Sequence, residues 1–432
     1  MGADTDVAII GGGPAGTAAA LTLAKRDDIA VTVLERGLYD QPKVGESLSP
    51  GVRGLLQYLD LWDRFEAEQT LSLFGTEAAW GSDTLGSMDF ILTLHGAGWA
   101  LDRQRFEQMM ADEVAQRGAD LRTGTTVKGC TFDGDLWHLD LGDRCIAARY
   151  LIDAAGRSSH FSTGDQVHRQ RNDTLTALST RLPRAPDAKQ MTRVEAVEDG
   201  WWYAAPLPSG EVILCLFSDA SRLHALRLSD PQVFRAHLEN TTHIRPLIGD
   251  GDMVGMVIDP LPAFSSLLTG CDPALPLVAA GDAMAARDPL SSSGIPNAIA
   301  GGVQAARVAA DALYGKGLLK SAYLEGVAAD HAAYLKTHWR TYRTEGRWPE
   351  APFWKFRAAH VTRGPEAQIR AHRDARTSIF VPKQAARWIV SAAQSQTTQL
   401  DLVRGAKRTF PDLPDERLLL AIEDLTREVA TA

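Results

Sequence analysis

The sequence contains little cysteine, and no two cysteines lie at a close spacing. None belongs to a C-x-x-C pattern or to a Cys/His cluster with metal-ligand spacing. The four are Cys130, Cys145, Cys215 and Cys271. This distribution excludes a disulfide-stabilised scaffold and a zinc site, and we expect no bound metal. Ordinary thiols suit a reducing compartment, so the predicted location is the cytoplasm.

A membrane span and a secretion signal are also missing. The stretch from Val7 to Ala24 is long and uncharged, but three glycines and a proline interrupt it directly after Ile10. Such residues break a helix in its middle. Asp4 and Asp6 stand where a signal peptide would carry positive charge. We therefore expect no contact with a membrane.

An excess of basic residues is absent as well. The net charge is −9, which argues against a dedicated nucleic-acid-binding protein, so we expect no nucleic-acid partner. The apolar content of 45% and the charged content of 23% are ordinary for a globular protein. At 432 residues, the chain suits two or three domains.

The uncharged stretch does contain a dinucleotide-binding pattern. A short apolar strand ends at Ile10, and Gly11, Gly13 and Gly16 then meet the spacing G-x-G-x-x-G. The first glycine permits the sharp turn, the second lets the backbone approach a pyrophosphate, and the third lets helix and strand pack closely. Glu35 ends the next strand, where an acid binds the ribose hydroxyls. The pattern predicts a dinucleotide whose pyrophosphate lies at the helix N-terminus.

Only one such pattern is present along the chain. An enzyme with separate domains for FAD and NAD(P) usually shows two. We therefore expect the external electron donor, NAD(P)H or reduced flavin, to bind transiently or to be supplied by a separate flavin reductase.

Further motifs give the sequence a specific resemblance. In chain order they are GGGPAG at Gly11–Gly16, ER at Glu35–Arg36, VGESLSP at Val44–Pro50, LDRQRF at Leu101–Phe106, DAAGRSS at Asp153–Ser159 and VAAGDAMAARDPLSSSGI at Val278–Ile295. With them, the sequence resembles the FAD-dependent monooxygenases, in the branch that holds the flavin-dependent halogenases and the hydroxylases that mature tryptophylquinone cofactors. Within that branch it is most similar to the type that serves quinohemoprotein amine dehydrogenase.

The resemblance and the strand and helix patterns together predict an α/β fold. We expect a Rossmann-like FAD-binding domain of the glutathione-reductase type, a β-sheet substrate domain and a C-terminal helical domain. From Leu319 onward the pattern is helical and strand signals vanish. The expected boundaries are 1–165 for the first part of the FAD-binding domain, with substrate-domain strands near 70–100, then 166–265 for the substrate domain, 266–318 for the return of the FAD-binding domain and 319–432 for the helical domain.

The resemblance also implies which residues bind FAD. They are Gly11, Gly13, Pro14, Ala15, Gly16, Glu35, Arg36, Ser47, Arg103, Val127, Gly281, Asp282, Pro289, Gly294 and Ile295. Asp282 would bind the ribityl chain and Val127 would lie near the adenine. The segment Pro289–Ile295 would line the isoalloxazine ring, with the positive end of the next helix aimed at the flavin. Glu46 would face the flavin as a catalytic residue, unless it is a cap or a solvated loop acid.

The resemblance leaves three functions open. Flavin halogenases use a lysine to carry the activated halogen, but this sequence has no lysine between Lys43 and Lys128. We therefore favour a monooxygenase that hydroxylates an electron-rich aromatic substrate through a flavin C4a-hydroperoxide. A halogenase, or a flavin-dependent reductase of the geranylgeranyl reductase type, is the alternative. The third is a protein that binds FAD without catalysis.

The candidate substrate contacts are three aromatic residues of the substrate domain. Trp201, Trp202 and Tyr203 are consecutive in a strand-like segment, and aromatics on strands otherwise belong to the core. The resemblance implies that the substrate is a tryptophan side chain in a partner polypeptide, oxidised during tryptophylquinone cofactor biogenesis.

The C-terminal region is strongly basic. Between Lys336 and Arg387 there are 12 Lys and Arg against 4 acids, with aromatic residues interleaved. This composition suits a docking surface for a protein or peptide substrate. It equally suits amphipathic helices whose aromatic residues pack inward.

Overall fold

The structure is a computed structural model. It describes residues 2–68, 70–90, 96–162, 167–249, 256–357, 368–371, 378, 381–395, 397–413 and 415–428. The helices, in chain order, are α1 (Pro14–Leu23), α2 (Arg53–Tyr58), α3 (Trp62–Ala67), α4 (Arg103–Gln116), α5 (Ala220–Ala225), α6 (Pro231–Glu239), α7 (Gly294–Leu313), α8 (Leu319–Arg343), α9 (Pro352–Arg357), α10 (Lys383–Ala392), α11 (Gln399–Thr409) and α12 (Asp415–Leu425).

The strands form several sheets. In chain order they are β1 (Thr5–Ile10), β2 (Val31–Leu34), β3 (Ser47–Leu48), β4 (Leu71–Leu73), β5 (Gly75–Ala79), β6 (Gly86–Asp89), β7 (Gly98–Ala100), β8 (Asp120–Arg122), β9 (Gly129–Phe132), β10 (Trp137–Asp140), β11 (Cys145–Asp153), β12 (His168–Arg171), β13 (Leu175–Pro183), β14 (Thr192–Val197), β15 (Gly200–Pro206), β16 (Glu211–Asp219), β17 (Asp259–Pro262), β18 (Ser266–Thr269), β19 (Leu277–Ala279), β20 (Ala285–Ala286), β21 (Gln368–Ala371), β22 (Thr397–Thr398) and β23 (Thr426–Glu428).

The first sheet carries the glycine-rich turn. Its order is β8-β2-β1-β11-β10-β9, and β19 joins the end of β11. The pairs from β8 to β11 and the pair β11–β19 are parallel, whereas β9, β10 and β11 are antiparallel. The arrangement confirms the predicted α/β class.

Helices α1 and α7 lie against each other beside this sheet. Small residues allow the close approach, because a Cβ added at Gly302 of α7 would lie 2.1 Å from the carbonyl oxygen of Ala15 in α1. The chain returns to the first sheet with β19 and α7 after the second sheet is complete. The nucleotide domain is therefore built from two separate parts of the sequence.

The second sheet has the order β17-β13-β16-β15-β14-β5-β6. Successive residues of a strand point to opposite faces, which separates neighbouring tryptophans. Trp201 belongs to a cluster with Cys215 on one face, and Trp202 belongs to a cluster with Phe234 on the other. We call the face of Trp201 and Cys215 the site face, because the loop of residues 43–47 lies against it through Val44.

The C-terminal region has its own core, in which α8, α10, α11 and α12 meet. It also contains a small sheet of order β22-β21-β23. The expectation that strands vanish after Leu319 was therefore wrong. These strands are two to four residues long, too short to show an alternating pattern. The bounds of the four predicted ranges stay predictions.

Within the residues that the structure describes, no helix is both long and apolar enough to cross a bilayer.

Candidate active site

The glycine-rich turn is built as the spacing predicts. Gly11 has a φ of +101°, which an L side chain rarely adopts, and a Cβ added at Gly16 would lie 1.8 Å from the Gly11 carbonyl oxygen. Gly13 differs, because a Cβ there would meet no atom within 4 Å. Helix α1 has no side-chain cap at Gly13 and no acid in its first turn, and Pro14 occupies its start. Its first backbone N–H groups therefore face open space, which suits a pyrophosphate.

Glu35 lies at the end of β2 beside this turn. Its Oε2 accepts a hydrogen bond from the Gly12 N–H at 2.6 Å, and its Oε1 accepts one from the Gly37 N–H at 2.7 Å. The Tyr39 hydroxyl donates to the Gly12 carbonyl at 2.8 Å. These bonds fix the carboxylate next to the turn. Arg36 is exposed, and Val127 is buried.

Gly281 and Asp282 lie across from the start of α1. Gly281 has a φ of +57°, and a Cβ there would lie 2.8 Å from the Ala15 Cβ, so only glycine fits. The Asp282 carboxylate pairs with Arg157, whose Nη2 lies 3.0 Å from Oδ2. Arg157 itself sits in the loop after β11, where buried Asp153 accepts hydrogen bonds from two serine hydroxyls. The DAAGRSS motif thus holds the arginine that orients Asp282.

The segment Pro289–Ile295 forms the third part of the site. Pro289 and Gly294 are exposed, whereas Ile295 is buried in the core of the nucleotide domain. The helix α7 starts at Gly294 with no side-chain cap and no acid in its first turn. The first turns of α1 and α7, neither of which has a side-chain cap, therefore both contain candidate cofactor-binding residues.

Arg103 holds the loop that carries Glu46. Its Nη1 donates to the carbonyl oxygens of Val44 and Gly45, both at 3.0 Å. Its Nη2 forms an ion pair with Glu107, which also forms an ion pair with Lys43. Arg103 is therefore tied to protein groups that fix the position of this loop.

Glu46 is fully buried, and one of its oxygens lacks a hydrogen bond. Oε2 accepts a hydrogen bond from the Gly45 N–H at 2.8 Å, whereas Oε1 accepts none from any residue that the structure describes. The nearest cation is Arg181 of β13, whose Nη2 lies 3.8 Å from Oε1. Burial raises the pKa of Glu46, opposed by the Gly45 N–H and by Arg103. A buried carboxylate oxygen that accepts no hydrogen bond is costly, which makes Glu46 a functional candidate.

Tyr203 completes the group around Glu46. It is half-buried on β15, directly paired with Cys215 on β16. Burial raises the pKa of Tyr203, and the Glu46 carboxylate raises it further, while a hydrogen bond with Ser47 opposes both. Glu46, Ser47, Tyr203 and Arg181 thus form one polar cluster at the site face.

The two tryptophans do not join this cluster equally. Trp201 lies on the site face, stacked on Phe217 with ring centroids 4.0 Å apart. Trp202 is fully buried on the opposite face, edge-on to Phe234. The prediction that Trp202 contacts substrate was therefore wrong, because the alternation of side chains along β15 points it away from Glu46.

Comparison with known proteins decides the family. The family model described as an FAD-binding domain matches residues 4–223. The chain belongs to this FAD-binding family. The site residues fit the cofactor, since the space above Gly13 is open and both helix starts are uncapped.

Individual relatives agree with the FAD-binding family. The protein LodB of Marinomonas mediterranea, named as an FAD-dependent oxidoreductase, is 30% identical over 82% of this chain and 97% of its own. The flavin-dependent halogenase CmlS has a TM-score of 0.74 at 23% identity, over 96% of this chain and 78% of that one. The peptidyl tryptophan dihydroxylase QhpG has a TM-score of 0.68 at 21% identity, over 86% and 83%. The protein is an FAD-dependent oxidoreductase.

Sequence reasoning missed several residues of this flavoenzyme. Arg157 belongs to the DAAGRSS motif and Asp288 to the motif Val278–Ile295, so the sequence did point to both positions. No motif points to Arg181 or Cys215, because only the register of β13, β15 and β16 brings them close to Glu46.

Replacing Asp282 by Ala is expected to weaken FAD binding. The change removes the carboxylate that Arg157 orients, and a hydrogen bond to a charged group contributes about 1.5–3 kcal/mol. The Kd for FAD, measured by flavin fluorescence, should rise about ten- to a hundredfold. Asp259→Ala, at an exposed acid of β17, is the control and should leave the Kd unchanged. Equal Kd values for the two variants would contradict the assignment.

Proposed function

We propose that this enzyme hydroxylates an electron-rich aromatic ring, and that the ring is a tryptophan side chain in a partner polypeptide during tryptophylquinone cofactor formation. The observation that carries the proposal is the Oε1 of Glu46, which is fully buried at the site face and accepts no hydrogen bond from the described residues. An indole has an N–H that such an oxygen can accept, and hydroxylation releases a ring proton that a carboxylate can take. The likeness to the peptidyl tryptophan dihydroxylase QhpG supports the same choice.

Each residue of the cluster has a role in this proposal. FAD, when bound, supplies the activation of oxygen. Glu46 takes the proton from the ring carbon at which a C–O bond replaces the C–H bond. Its burial raises its pKa and so makes it a stronger base than a solvated glutamate. Tyr203 and Ser47 hold the ring beside it and exclude water. The second oxygen atom leaves as water, with two electrons from the external donor.

Halogenation is the second candidate, favoured by the likeness to the halogenase CmlS. The absence of lysine between Lys43 and Lys128 speaks against it, because the resemblance assigns the halogen carrier to a lysine reached from the loop after the GES motif. The buried Glu46 does not distinguish the two reactions. The two reactions are distinguished by whether the product forms only in the presence of halide.

The test supplies the purified enzyme with FAD, oxygen and a tryptophan-containing peptide, with free tryptophan and a phenol as further substrates. NAD(P)H alone and NADH with a separate flavin reductase are compared as donors. Mass spectrometry should find a peptide that has gained one or two oxygen atoms. A product that forms only with chloride or bromide would select the halogenase. Turnover without oxygen would select a reductase, and no turnover with any donor would favour a binding protein.

We further propose that the basic C-terminal region docks the partner polypeptide. Lys336 and Arg340 of α8 are exposed, and neither forms an ion pair with a residue that the structure describes. Four of the interleaved aromatic residues are not part of such a surface, because they are buried: Trp339, Tyr342, Phe353 and Trp354. Arg357 is also unavailable, since it pairs with Asp219 in the interior.

Several other basic residues of this region do not add to this surface. Arg347 pairs with Asp83 and Glu345. Arg363, Arg373 and Arg376 lie outside the described residues. The docking proposal is therefore made for Lys336 and Arg340 at the outer side of α8, where Trp339 packs inward as in an ordinary amphipathic helix.

Reversing this charge is expected to raise the KM for an acidic substrate. Lys336→Glu combined with Arg340→Glu should raise KM for an acidic tryptophan-containing peptide about tenfold, because surface charge steers encounter. The value of kcat should not change, and added salt should reduce the difference. The control is Arg144→Glu with Lys316→Glu, at exposed positions of the nucleotide domain and its border. An equal effect of both pairs would show that only net charge matters.

A further inference from the structure

Asp288 is a buried carboxylate at the start of the segment that the resemblance assigns to the flavin ring. It is 1% exposed, and its Oδ1 accepts a hydrogen bond from the Leu290 N–H at 2.8 Å. It thereby caps the short turn Pro289–Ser291, which leads directly into α7. The conformation of this segment therefore depends on where the Asp288 carboxylate is held.

Helix α8 of the C-terminal region holds it there. The Tyr342 hydroxyl donates to Oδ2 at 2.7 Å, and the His338 Nε2 lies 3.1 Å from the same oxygen. The Asp288 N–H donates to the Tyr334 hydroxyl at 2.8 Å. Tyr334, His338 and Tyr342 are spaced by four residues, so they share one face of α8. Three turns of one helix thus bind a single residue of the flavin segment.

The same tyrosine also reaches the second sheet. The Trp201 Nε1–H donates to the Tyr342 hydroxyl at 2.9 Å, and all of Trp201, Tyr342 and Asp288 are buried. A continuous chain of hydrogen bonds therefore joins the sheet that carries Tyr203, the C-terminal helix and the segment before α7. We call Trp201, Tyr342, His338 and Asp288 the Asp288 network.

We infer that the Asp288 network positions the segment Pro289–Ile295 for the flavin, and that the C-terminal region is thus an integral part of the cofactor site as well as a docking surface. Tyr342 and His338 are positioning residues, because they act on the segment through Asp288. The inference rests on the FAD site alone and does not depend on the nature of the substrate.

The electrostatics of Asp288 explain why the segment Pro289–Ile295 stays in contact with α8. Burial alone would raise the pKa of this carboxyl, but the hydrogen bonds from His338, Leu290 and Tyr342 outweigh it and leave the pKa below its ordinary value. Asp288 is therefore ionised. Moving the segment away from α8 would deprive the Oδ2 of this buried charge of its partners Tyr342 and His338, which is strongly unfavourable. The segment is therefore held in one position, which also fixes the uncapped start of α7.

The test is Tyr342→Phe in the full-length, FAD-loaded enzyme. The phenyl ring keeps the aromatic packing and removes both the donor to Asp288 and the acceptor for Trp201. We expect the Kd for FAD to rise about tenfold, as for one lost hydrogen bond to a charged group. The flavin midpoint potential should become more negative, because the positive end of α7 stabilises the reduced flavin less when the segment moves.

The matched control is Tyr150→Phe. Tyr150 is a buried tyrosine of β11 whose hydroxyl has no hydrogen-bond partner among the described residues. It should leave the Kd and the midpoint potential unchanged. The inference is overturned if Tyr342→Phe changes neither quantity, or if Tyr150→Phe changes both equally.

A second pair of variants covers the case in which Tyr342→Phe does not fold. His338→Leu should shift the Kd and the potential in the same direction, whereas His338→Gln keeps a donor for Asp288 and should restore most of both. If Leu and Gln behave alike, or if neither moves the potential, the network does not position the flavin segment. Neither readout requires a substrate, so failure of the hydroxylase proposal leaves this test intact.

Discussion

Replacing Glu46 by Gln is expected to abolish most of the turnover while the protein remains yellow. The substitution keeps the shape of the side chain and removes the group that can take a proton. General-base catalysis contributes about 10²–10⁴-fold, so kcat should fall by about that factor. FAD affinity should be unchanged, because the contacts of the glycine-rich turn and of Asp282 are elsewhere in the site. Steady-state oxygen consumption coupled to product analysis measures the loss.

The pH dependence gives this prediction a second readout. Since burial raises the pKa of Glu46, the acidic limb of the wild-type rate profile should lie above the ordinary range of a glutamate. A carboxyl with a raised pKa in the folded state contributes its full stability below its unfolded pKa and loses it as pH rises through the folded pKa. The Gln variant should therefore melt higher than wild type at neutral pH and equally in acid. A variant that is inactive but more stable fits a catalytic acid-base residue and not a structural one.

Two controls complete the experiment. Glu66→Gln, at an exposed glutamate of α3, should change neither rate nor melting temperature. Glu46→Asp keeps the charge but withdraws it from the ring, so it should retain some pH-dependent activity. Full activity of Glu46→Gln would remove Glu46 from the proposed mechanism.

Replacing Gly16 by Ala is expected to prevent the nucleotide domain from forming properly. The added methyl would lie 1.8 Å from the Gly11 carbonyl oxygen, a backbone atom that a side-chain rotation cannot move aside. Overpacking of this kind costs about 1–3 kcal/mol or more. Thermal unfolding of the FAD-free protein should show a lower melting temperature, and the purified protein should be colourless.

Gly13→Ala separates the fold from the cofactor. A methyl at Gly13 meets no protein atom within 4 Å, and the φ of −72° suits alanine. The FAD-free protein should therefore be as stable as wild type or slightly more so. The methyl would occupy the space above the turn, so the Kd for FAD should rise about ten- to a hundredfold. If Gly13→Ala bound FAD as wild type does, the pyrophosphate would not lie above this turn.

The nucleotide domain could be predicted from the sequence because its signals are local. Gly11, Gly13 and Gly16 fall within six residues, and their spacing states the backbone geometry directly. The fold class followed from the same motifs in order along the chain. The position of Asp282 beside Gly281 was equally local.

The contacts around Glu46 and Asp288 could not be predicted in this way. Arg181 and Tyr203 reach Glu46 through the register of the second sheet, which a sequence does not state. Tyr342 reaches Asp288 across 54 residues, and nothing in a helical pattern tells which face of α8 meets which loop. The prediction that Trp202 contacts the substrate failed for a related reason, since the residue at which β15 begins decides to which face of the sheet Trp202 points.

The order in which the elements of the chain are synthesised affects when this flavoprotein can bind FAD. The parallel partner β19 and the helix α7 complete the nucleotide domain only after the whole second sheet has been synthesised. A nascent fragment that ends before Leu277 has the glycine-rich turn but lacks Gly281, Asp282 and the α7 surface that covers α1. We therefore expect FAD to bind only after α7 has been synthesised, and a chain truncated there to expose the alanine-rich side of α1 to chaperones.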